Sequence, residues 1–232
     1  MSQKDPLDDL PWPKPAEPST GVSESIRRQC THALGQKHCA RAHRRAALSL
    51  LLPTVAIGLF TVLAILRGDP GETLRGALYG VAGWVLVLSV VLTAGLAFPP
   101  GRRPARGLRI ATAVAIPVVF MLYITATASA HDSFANFSHG APMHHALRCG
   151  LTCLMLGAIV SGGVLFLWRG TDPLTPTLSG ALAGLTGGLG SALALGVACP
   201  SHEAWHVGIS HGLVVVAMVG LGALVGRRLL SP

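Results

Sequence analysis

After 45 mostly polar residues the chain becomes an alternation of long apolar runs and short polar links, with apolar runs at 46–66, 76–98, 108–130, 149–168, 177–198 and 207–226. A hydrocarbon core of about 30 Å is crossed by about 20 helical residues at 1.5 Å each, a length that every run reaches. Backbone amides inside lipid must bond within their own segment, so apolar runs of this length are expected as helices. The pattern predicts an all-α protein: a six-span transmembrane helical bundle (46–232) with a short cytoplasmic N-terminal arm (1–45). The arm is near the size at which a segment buries too little apolar surface to fold alone. Because the first run lies so far from the start, it reads as a retained span rather than a cleaved signal peptide.

Composition supports this. Only 12% of residues are charged, against roughly 25% in soluble domains. Of the 18 Lys and Arg, 15 fall in the arm and in the links and tail on its side of the bundle, and three in the opposite links. Positive segments are retained on the cytoplasmic side, so both termini are expected inside and the protein in a bacterial inner (plasma) membrane. The net charge of +8 then faces anionic lipid at the inner surface. No stacking-aromatic or recognition-helix pattern accompanies it, so direct nucleic-acid binding is not expected.

The arm has two parts. DPLDDLPWPKPAEP is too rich in proline for a regular helix, and its Leu7, Leu10 and Trp12, flanked by Asp5, Asp8 and Asp9, form a candidate docking motif beside the plainer reading of a disordered tail. From residue 21 the spacing of Val22, Ile26, Cys30, Ala33 and Leu34 predicts an amphipathic helix that runs into the first span. That helix would bind a partner protein or lie on anionic lipid through its basic residues. Cys30, His32, His38, Cys39 and His43 match no closed zinc spacing, and reduced cytosolic thiols are the simpler reading.

The spans carry small-residue ridges: Gly180, Gly184 and Gly188, then Gly208 with Gly212 and Gly222 with Gly226, each four apart. Such ridges let helix backbones approach closely. No Asp, Glu or Lys lies in a span, which argues against a transport path or proton relay. His211 is the one ionisable side chain well inside a span, and Arg109, at a span end, is expected to snorkel to the interface.

The outward links hold the candidate chemistry. Residues 131–148 and 199–206 contain six of the ten histidines: His131, His139, His144, His145, His202 and His206. His145, Cys149 and Cys153 recur at steps of four and share a helix face, and Cys199 closes the fifth span. Imidazole and thiolate at such spacing suit a divalent metal such as zinc, with His139, His144, His145, Cys149, Cys199, His202 and His206 as candidate ligands or redox groups. A disulfide from Cys149 or Cys153 to Cys199 suits an oxidising compartment equally well, and a polar rim is the plain alternative. Glu203 is the one acid near this cluster, and no HExxH motif or nucleophile elbow is present, so an enzyme is not expected.

The segments RCGLTC, SGALAGLTGGLG and ACPSHEAWH, over residues 148–212, resemble the multi-pass anti-sigma factors of the NrsF type. The layout is also similar to that of the light-responsive carotenogenesis regulator CarR. The resemblance places family cysteines at Cys149 and Cys199 and not at Cys153. It implies a regulator whose cytoplasmic arm sequesters an extracytoplasmic-function sigma factor, with Leu7, Leu10, Trp12, Val22, Ile26 and Leu34 as candidate contacts. Oxidative or light stress at the outer cluster would release the sigma factor, possible targets including carotenoid genes. The alternative is a metal- or haem-binding membrane carrier or redox protein built on the outer His and Cys, and behind it a quinone-linked thiol oxidoreductase on Cys149, Cys153 and Cys199.

Overall fold

The computed structural model describes residues 20–66, 105–129, 143–169, 174–199 and 204–230, with part of 80–91. The chain divides into two units, Met1–Cys39 and Ala40–Pro232. In the first, Thr20 onward is helical. Leu7, Leu10 and Trp12 lie outside the described residues. So do the side chains of Val22, Ile26 and Leu34, whose backbone belongs to that helix.

All regular structure among the described residues is helical, in chain order α1 (Thr20–Leu66), α2 (Arg106–Ser129), α3 (Met143–Leu167), α4 (Pro176–Ala198), α5 (Ala204–Val207), a π-helical turn (Gly208–Gly212) and α6 (Leu213–Leu229). Among the described residues, five helical stretches rather than the expected six are long and apolar enough to cross a bilayer: Arg44–Leu66, Arg106–Ile124, His144–Leu167, Pro176–Ala198 and Trp205–Leu229. The expected span 76–98 falls largely outside the described residues. Those described there are helical, and Trp84, Leu88 and Val91 are buried. Trp84 meets Phe120 of α2 edge-on at 5.0 Å.

Helix α4 is the centre of the larger unit: 78% of its apolar window is buried, against 22–39% in the other four. It is also the least apolar of the five. In lipid this is the expected inversion, because tails are as apolar as leucine and burial is decided by close packing of small residues. One face of α4 puts Gly180 and Gly184 against Gly222, Gly226 and the Met218 carbonyl of α6, so near that a β-carbon at either position would strike backbone. A second face sets Gly187 against Ser161 and the Gly157 carbonyl of α3, and a third sets Gly190 against Pro53 of α1. The contacts pair α4 antiparallel with both α3 and α6. The outer helices turn large apolar side chains away from the bundle, such as Leu51, Val55, Leu59 and Val62 of α1, the surface that lipid requires.

Two polar links tie one end of the bundle. Trp168 Nε1, just past α3, donates to Ser49 Oγ of α1 at 2.9 Å. Arg109 of α2 does not snorkel: it is 3% exposed and donates to Thr175 Oγ1 at 2.7 Å and Ser179 Oγ at 2.5 Å. Charge-assisted bonds from both terminal nitrogens to two hydroxyls at the start of α4 hold the guanidinium inside the bundle and keep it from the interface.

Candidate functional site

The opposite end of the bundle gathers the cysteines and histidines. Pro200 follows Cys199, and a residue before proline is pushed out of the helical region. Accordingly Cys199 ends α4 in extended backbone, φ −83° and ψ 123°. The chain returns in α5, which starts at Ala204 and so places His206 on a helix instead of in the link where it was expected. Helix α3 starts at Met143, before the expected boundary, which draws His144, His145 and Cys149 into its first two turns.

Cys199 Sγ lies 3.3 Å from His206 Nε2, a hydrogen bond whose donor depends on the imidazole tautomer. Cys149 Sγ joins them, so that the three ligand atoms lie within 4.8 Å of one another, with Cys199 and His206 buried and Cys149 half-buried. All three cysteines here are free thiols. Cys153, one turn deeper on α3, is held apart: its Sγ donates to Ser191 Oγ at 3.3 Å, and that hydroxyl donates to the Gly188 carbonyl.

The histidines predicted with these cysteines separate into groups. His144 and His145 are exposed and stack on each other at 4.3 Å. They lie outside the cysteine cluster, because their turn of α3 precedes the one that faces Cys199. His139 and His202 lie outside the described residues. Of the predicted set the structure therefore brings together Cys149, Cys199 and His206.

It adds one residue. His211 is 1% exposed, and its ring centre is 6.2 Å from that of His206. The intervening chain is the π-helical turn Gly208–Gly212, a form that concentrates at functional sites. Ser210 Oγ in that turn donates to the Ala146 carbonyl of α3 at 2.9 Å, tying the turn to the helix that carries Cys149. His211 was visible in the sequence as an ionisable group within a span. Its partnership with His206 was not, since five residues do not fit the α-helical period.

Helices long and apolar enough to cross a membrane, with a thiol and imidazole cluster at one end of the bundle and a buried arginine at the other, fit a polytopic membrane protein. The chain belongs to the NrsF family, described as negative regulator of sigma F, which it matches over residues 34–231. The matched region includes the whole cluster and Leu34, and begins after Leu7, Leu10, Trp12, Val22 and Ile26. Neither the curated proteins nor the solved structures contain a match. Family membership makes the chain a negative regulator of a sigma factor, carried on helices fit to span a membrane.

Proposed function

We propose that the protein is an anti-sigma factor of the bacterial inner membrane that sequesters an extracytoplasmic-function sigma factor through residues 1–45. It is a regulator and not an enzyme. Both termini lie in the cytoplasm, and oxidative or light stress acting at the outer cluster releases the sigma factor, with carotenoid genes among its targets. The observation that carries the reading is the family match over residues 34–231.

Two features support the finer parts. The excess of Lys and Arg on the arm side supports a cytoplasmic arm, and Cys149, Cys199 and His206 then face the outer compartment. Sequestration is a binding competition. While the arm covers the sigma surface that polymerase needs, transcription is off, and a stimulus releases sigma only if it favours an arm state of lower affinity.

Helix α3 connects the cluster to α1. Cys149 sits near its start and Val164 and Leu165 near its end, followed by Trp168, which bonds to Ser49 of α1. A shift of α3 would therefore reach α1 at Ser49.

The test is co-purification from native membranes. Full-length protein solubilised in detergent is expected to carry a sigma subunit. Deletion of residues 1–45 should remove that subunit and raise transcription from its promoters, while the protein still inserts. Full-length protein that never retains a sigma subunit, or a deletion that retains it undiminished, overturns the reading.

A further inference from the structure

We propose that Cys149, Cys199, His206 and His211 form a closed four-ligand site for a divalent cation of the zinc class, with the π-helical turn supplying the fourth ligand. The proposal is independent of sigma-factor binding.

Distances come first. Zinc bonds of about 2.3 Å to sulfur and about 2.0–2.1 Å to nitrogen put tetrahedral S and N ligands about 3.6 Å apart, and two sulfurs about 3.8 Å apart. Cys199 Sγ and His206 Nε2 are 3.3 Å apart, and with Cys149 Sγ all three atoms lie within 4.8 Å. Closing to ligand geometry takes shifts of a few tenths of an ångström to about 1 Å, within reach of side-chain rotation.

The second observation is His211. It is 1% exposed, and neither ring nitrogen meets a partner in good hydrogen-bonding geometry among the described residues, the Ala192 backbone giving one interaction outside that geometry. A buried imidazole so weakly satisfied is destabilising, and a bond to metal would remove that cost. Two imidazoles on one tetrahedral zinc have ring centres about 5 Å apart by the same bond lengths. His206 and His211 are at 6.2 Å.

The π-helical turn explains how residues five apart come to face one site. At 3.6 residues per turn, positions i and i+5 point about 140° apart. The wider π turn, with i→i+5 bonding and about 4.4 residues per turn, covers three of the five steps and reduces this to about 90°. The turn Gly208–Gly212 lies between the two rings, and Ser210 anchors it to α3.

Charge decides the metal class. Two thiolates neutralise a dication and two neutral imidazoles complete four ligands, so the filled site carries no net charge in a region of low dielectric. Soft thiolates with imidazoles favour zinc over calcium or magnesium, which take oxygen. Binding forms two metal–sulfur and two metal–nitrogen bonds. It releases the two thiol protons to water, without change of oxidation state. Half-buried Cys149 marks the way in.

The test uses full-length protein in detergent under reducing conditions, with cobalt(II) as the probe. About one equivalent should bind, giving the thiolate-to-cobalt charge-transfer band and the intense d–d absorption of a tetrahedral site, both removed by zinc. Cys149→Ser and Cys199→Ser should each lose the charge-transfer band. His211→Ala should keep that band, lose the tetrahedral d–d intensity and bind zinc at least about tenfold more weakly, in the range expected for an incomplete ligand set. Cys153→Ser should behave as wild type.

Where a cysteine variant does not fold, alkylation of the wild-type protein gives the same information: zinc should protect Cys149 and Cys199. Absence of cobalt binding to wild-type protein, a His211→Ala spectrum equal to wild type, or a Cys149–Cys199 disulfide in place of metal in freshly isolated protein each overturns the proposal.

Discussion

Arg109 shows how a side chain can defeat a rule that its neighbourhood makes reasonable. A guanidinium at the end of a span usually reaches the interface, yet here two hydroxyls at the start of α4 hold it inside. Thr175 is the N-cap residue of α4 but makes no side-chain capping bond, while its hydroxyl accepts from Arg109. Replacing Arg109 with Ala leaves buried hydroxyls without their charged donor. The expected loss is about 1.5–3 kcal/mol, read as a lower Tm in detergent. A Tm unchanged by Arg109→Ala would show that this link contributes nothing. Residue identity in the sequence pointed to Arg109 and His211 as exceptional. The hydroxyls and the ring that answer them lie far off in the chain or out of helical phase, so only folding could pair them.

At the scale of elements, the glycine ridges distinguish positions that look alike in sequence. Gly220 and Gly222 lie two apart on α6, and a β-carbon at Gly220 would meet nothing within 4 Å, whereas one at Gly222 would strike Gly180 and Gly184. Gly220→Ala is expected to be neutral or to stabilise by up to about 1 kcal/mol through helix propensity. Gly222→Ala must push two backbones apart, at a cost of about 1–3 kcal/mol or more. Thermal unfolding of the two variants in detergent checks the contrast, and equal effects would mean that α4 and α6 are not in backbone contact. The four-residue repeat already announced Gly180, Gly184, Gly222 and Gly226 as an interface. Gly187 and Gly190 stand outside that repeat, and their contacts with Ser161 and Pro53 follow from α4 being surrounded, which its own sequence does not state.

For the whole molecule the central question is which end faces which compartment. The proposed orientation rests on the distribution of basic residues, which the structure complements by collecting Cys149, Cys199 and His206 at one end and Arg109, Ser49 and Trp168 at the other. Alkaline phosphatase fused after residue 139 or 202 should be active, since it would lie outside the membrane. The same enzyme fused after residue 170 should be inactive. The reverse pattern would turn the protein over and move the cysteine cluster to the cytoplasm, removing the basis for sensing an external stimulus there.

Hydropathy along the chain was enough to establish helices that fit a bilayer, because lipid leaves a spanning backbone no alternative to internal hydrogen bonds. Basic residues set the expected orientation, and the segments around Cys149 and Cys199 indicated the family to which the chain belongs. The composition of the cluster was decided only by tertiary structure. His144 and His145 share a helix with Cys149 and still stay exposed, one turn away from the cluster, while a π-helical turn brings His211 towards His206. Periodicity describes which residues share a face of one helix. Which faces meet is decided by close packing between helices, and here by small residues that let α4 sit at the centre.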